Sequence, residues 1–89
     1  MKKRIAVLAR ERQAEALRMA VGLTVGQDDV RVFLMDRLPA DDPVVAQSLE
    51  ALAELGVPVV TNVRGASFAH ADTRDIALLI AGFDVVAPY

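Results

Sequence analysis

The chain contains no cysteine. That excludes disulfides, thiolate-bound metals and every mechanism that needs a sulfur nucleophile. It also makes a cytoplasmic location the simplest expectation. Histidine is nearly missing as well, with His70 standing alone. Beside Asp72 it can serve as a general base or as one metal ligand. Without a second histidine or a carboxylate cluster it cannot complete a tetrahedral zinc site. No metal and no cofactor are therefore expected.

An excess of positive charge is also lacking. Lys and Arg number 10 against 12 Asp and Glu, and the net charge is −2. Nucleic-acid binding wants a clustered basic face, so no nucleic-acid partner is expected. The only basic run is Lys2-Lys3-Arg4. The apolar run behind it, Ile5 to Ala9, is too short for the core of a signal peptide. No segment approaches the length of a membrane span, so no membrane partner is expected. Glycine is missing where a phosphate would need it. The stretch Ala9-Arg10-Glu11-Arg12-Gln13 is neither a P-loop nor a dinucleotide fingerprint.

What the chain does have is apolar surface. Of its 89 residues, 54% are hydrophobic, and the mean hydropathy is +0.35. Residues 1–89 are expected to form one domain, without linker, repeat or low-complexity stretch. A domain of this size buries only about 60–65% of what its unfolded chain exposes. Some of the apolar surface should then be covered by another copy, and an oligomer is expected.

Patterning predicts β-α-β-α-β-loop-α-β. Ile5–Ala9 reads as a strand covered on both faces. Ala14, Leu17, Val21 and Val25 recur at helical spacing, widened by Ala16, Met19, Ala20 and Leu23, with Gly26 ending that helix. Val30–Met35 is the second strand. Asp42 and Pro43 start a second helix, with Val45, Leu49 and Leu52 inward and Gly56 closing it. Val57–Thr61 is the third strand, with Pro58 at its start or on an open edge. A loop from Asn62 to Ala71 leads to a helix capped by Asp72, with Ile76, Leu79 and Ile80 inward. Phe83–Ala87 forms the last strand. Strands alternating with helices imply a three-layer α/β/α fold with a mostly parallel sheet of four or five strands. Strand 1 is the best candidate for a central position.

In such a sheet, ligands bind at the C-terminal ends of the strands. The loops there bring Arg10, Arg12, Asp36, Arg37, Asn62, Arg64, Ser67 and His70 to one edge. Arg10, Arg37, Asn62, Arg64, Ser67 and His70 form a candidate site for a small anion or a nucleotide-like ligand. The same arginines also read as surface charges balanced by Glu11, Asp36 and Asp41. Ser67 and His70 lie three residues apart, but no nucleophile elbow accompanies them, and no catalytic residue is assigned.

The segment from Ala16 to Arg37, ALRMAVGLTVGQDDVRVFLMDR, resembles the DsrE/DsrF/DsrH (Tus-type) sulfur-relay family, and so does LAELGVPVVTN from Leu52 to Asn62. The resemblance covers most of the chain from Ile5 to Asn62. It implies a flavodoxin-like or DsrE-like domain that assembles as a dimer, trimer or hexamer, alone or with other sulfur-relay proteins. Catalytic members hold a persulfide on a cysteine just after the third strand. Asn62 falls at or within a residue of that position, and an amide cannot carry a persulfide. The resemblance thus implies a cysteine-free, shortened member acting as a non-catalytic accessory protein.

Overall fold

The computed structural model describes residues 2–89. Five strands form one parallel sheet: β1 (Arg4–Ala9), β2 (Asp29–Leu34), β3 (Val59–Thr61), β4 (Ala69–His70) and β5 (Val85–Pro88). Three α-helices join them: α1 (Gln13–Leu23), α2 (Pro43–Glu54) and α3 (Thr73–Ile80). The strand order is β4-β3-β2-β1-β5. The three-layer α/β class expected from the pattern is present. In the 2-1-3-4-5 order of flavodoxin-like sheets β1 pairs with β3, whereas here β2 stands between them. β2 is the middle strand, and β1, flanked by β2 and β5, holds an interior position as expected.

Successive residues of each strand point to opposite faces, and two cores result. Ile5, Val7, Val30, Val32 and Leu34 pack against Ala16, Leu17 and Ala20 of α1 and Val45 and Leu52 of α2. Ala6, Phe33 and Met35 pack on the other face against Ile76 of α3. The Phe33 and Phe83 rings meet edge to face at 6.0 Å.

Several boundaries move, each for a local reason. α1 stops at Leu23 and tightens into a 3₁₀ turn over Thr24–Gly26. The left-handed residue after it is Gln27, at φ 65°, not Gly26. The buried stripe of α1 runs through Gln13, Ala16, Leu17 and Ala20, and Val25 is 84% exposed. β3 begins at Val59, because Val57 is used in the cap of α2. Its amide donates to Leu52 O while Gly56, at φ 73°, donates to Ala53 O, a Schellman closure. Pro58 precedes the strand and its carbonyl accepts from Val32 N. Asp42 caps α2 through Val44 N at 2.7 Å, as expected.

The stretch from Asn62 to Ala71 is not all loop. Ala69 and His70 form β4, paired with Val60 and Thr61. Phe83 is outside the last strand, since its amide donates to Ile80 O and its ring turns under α3. Asp72 precedes α3 without a side-chain cap. Of the expected α3 face, Ile76 is buried, but Leu79 is 45% exposed. Among the described residues, no helix is long and apolar enough to cross a membrane.

Candidate functional site

β1 has β2 on one side and β5 on the other, so the sheet changes direction there. Above such a switch point, open α/β sheets usually form their ligand crevice. Here Tyr89 fills it. The Tyr89 amide donates to Leu8 O, and its carbonyl accepts from Glu11 N at 3.2 Å and Arg12 N at 2.8 Å. Arg12 lies 5.4 Å from the ring centroid, and the hydroxyl meets the Met19 sulfur. The amides that a glycine-rich turn would offer to a phosphate are thus spent within the chain.

Beside this point, Arg37 stitches two loops together. Its Nε donates to Arg10 O at 3.0 Å and its Nη2 to Glu11 O at 2.8 Å. Gln13 returns the link: its Nε2 donates to Arg37 O at 2.8 Å and to Ala9 O at 3.3 Å. Sequence reasoning missed Gln13. Its signal was positional, since it stands three and four residues before Ala16 and Leu17 on the inward stripe of α1. Arg10, Glu11, Met35, Asp36 and Arg37 line a cleft of about 250 Å³. Among the described residues, the Arg10 side chain makes no hydrogen bond or ion pair, so its charge is open to solvent.

Asn62 lies at the next strand end, and both polar atoms of its side chain are engaged. Its Oδ1 accepts from Asp36 N at 2.7 Å. Its Nδ2 donates to Asp36 Oδ1 at 3.0 Å and to Thr73 Oγ1 at 2.9 Å. Asp36 has φ 72°, an unfavourable setting for a residue other than glycine, so the two bonds hold a turn that tends to relax. One amide therefore ties the end of β2, the end of β3 and the start of α3. The buried Thr61 adds a bond from Oγ1 to Leu34 O at 2.8 Å.

The remaining residues gather around Asp72. Arg64 Nη2 is 3.3 Å from Asp72 Oδ1, with the two side chains 82% and 59% exposed. His70 Nε2 stands 3.7 Å from the same oxygen, on the edge strand and not in a loop. Ser67 is exposed. Apart from Ser67, the expected site residues fall into three sets: Arg10 with Arg37, Asn62 with Asp36 and Thr73, and Arg64 and His70 with Asp72. The arginines do not converge on one point. Among the described residues, no three His, Cys, Asp or Glu side chains group as metal ligands. Compared with family models, with curated proteins and with solved structures, the chain matches none.

Proposed function

We propose that this chain is a DsrE/DsrF-like protein that self-associates and serves intracellular sulfur relay as a non-catalytic accessory subunit. The observation that carries the reading is Asn62. The residue after β3, where the resemblance puts the persulfide cysteine, is an amide committed to Asp36 and Thr73. It contributes rigidity to the strand ends in place of sulfur chemistry. A relay subunit of this kind acts through its surface, by binding copies of itself or other sulfur-relay proteins. Intact-mass spectrometry after incubation with a protein persulfide donor tests the chemical half. The expected result is an unchanged mass, and a covalent sulfur adduct overturns the reading.

A second reading rests on Arg10. Arg10, whose guanidinium is unpaired among the described residues, lines a cleft with Arg37, an arrangement that suits a small anion or a nucleotide-like ligand. A ligand at about 100 times its dissociation constant adds about 2.7 kcal/mol to stability. A thermal-shift series with inorganic phosphate and a nucleoside monophosphate tests it. Stabilisation lost in Arg10→Ala supports this reading, and no shift removes it.

A further inference from the structure

The two faces of the sheet are unequally covered. α1 and α2, of 11 and 12 residues, cover one, and α3, of 8 residues, covers the other. α3 leaves Leu78 69% and Leu79 45% exposed. The same face holds a half-buried arginine with one buried, unpaired donor. Arg31 pairs in register with Ala6, which packs under α3, so both project to that side. Its Nε is buried with no hydrogen-bond partner, and among the described residues the guanidinium forms no ion pair. Its neighbour is the Phe83 ring, whose centroid is 5.9 Å away. A buried charged donor without an acceptor is costly, and native structures rarely leave one so.

The position of Arg31 shows what would satisfy it. Phe83 lies three residues beyond α3 and its amide donates to Ile80 O, so Arg31 stands by the C-terminal end of that helix. Asp75 stands in the first turn at the opposite end, exposed and without an ion pair among the described residues. The apolar pair Leu78 and Leu79 lies between the two charges. Strand addition is a poor route to assembly. β4 has two residues. On β5, the Tyr89 amide turns towards β1, so Pro88 presents the open side with no N–H to offer.

We propose that the α3 face is a two-fold interface with a second copy of this chain. α3 packs antiparallel on its counterpart, Leu78 and Leu79 are buried between them, and Asp75 of each protomer reaches Arg31 of the other. An axis through the middle of α3 carries the Asp75 end of one helix onto the Arg31 end of the next, which makes the surface self-complementary. This inference rests on the self-association proposed above and specifies its geometry.

Sedimentation equilibrium tests it. The wild-type chain is expected to dimerise at micromolar concentration, and Leu78→Glu to raise the dissociation constant at least about tenfold. Arg31→Met and Asp75→Ala are each expected to weaken the dimer, and the double variant to cost no more than either single change. Circular dichroism of each variant confirms that it folds, and Leu78→Glu and Asp75→Ala change only exposed positions. A monomeric wild type overturns self-association altogether. An oligomer indifferent to Leu78→Glu and Asp75→Ala leaves self-association standing and overturns this interface.

Discussion

Asn62 and Asp36 hold each other by two hydrogen bonds, backbone amide to side-chain oxygen at 2.7 Å and side-chain amide to carboxylate at 3.0 Å. The pair locks the ends of β2 and β3 together, and the third bond, to Thr73, brings in α3. Neither side chain offers a thiol. Its role is to hold the C-terminal edge of the sheet in one shape.

Removing that clasp should destabilise the domain. Asn62→Ala is expected to lower the free energy of unfolding by about 1–3 kcal/mol, since partly exposed hydrogen bonds contribute about 1 kcal/mol each. Asn62→Asp should be at least as damaging. It keeps the acceptor for Asp36 N, loses both donors and sets one carboxylate against another. Urea unfolding of the three proteins checks the order. An unchanged midpoint in both variants would show that the clasp contributes nothing.

Arg10 and Arg37 should part company on mutation. Arg37→Ala removes two bonds to loop carbonyls and is expected to cost about 1–2 kcal/mol. Arg10→Ala removes no side-chain hydrogen bond or ion pair among the described residues and should stay within about 0.5 kcal/mol of wild type. Thermal melts without ligand distinguish them. Equal losses would mean that Arg10 has a structural partner after all.

Thr61 offers an isosteric test within the core. Thr61→Val keeps the shape but leaves Leu34 O without its hydroxyl donor, and it removes the acceptor for Val63 N. The expected cost is about 1–3 kcal/mol, read from chemical denaturation. A neutral result would show that water replaces the hydroxyl.

Gln27 should be improvable. It holds φ 65° while exposed to solvent, and glycine meets no steric penalty there. Gln27→Gly is expected to raise stability by up to about 1 kcal/mol, seen as a higher melting temperature.

Much of the architecture was legible because strand and helix periods differ. The apolar runs Ile5–Ala9 and Val30–Met35, separated by a helical pattern, lead directly to parallel β1 and β2. The Asp42-Pro43 start of α2 and its glycine end carry their own signals. β4 did not, since Ala69 and His70 are too few to show a period and pair only because β3 is already placed. The helix boundary at Gly26 misled for a related reason. Glycine favours a left-handed cap, yet the 3₁₀ turn shifted that position onto Gln27. At the site, residue types were visible but partners were not. Asn62 and Arg37 stood out as polar groups at strand ends, whereas their commitment to Asp36 and to the Arg10–Glu11 backbone is a three-dimensional fact. Gln13, a buried polar residue among alanines and leucine, escaped because a hydrophobic pattern gives it no weight.

The proposed accessory role requires the chain to self-associate. Its molar mass in solution, measured by light scattering at micromolar concentration, tests this most directly. The expected value is a whole-number multiple, two or more, of the 9.6 kDa chain mass. A single species at 9.6 kDa across the concentration range would contradict it.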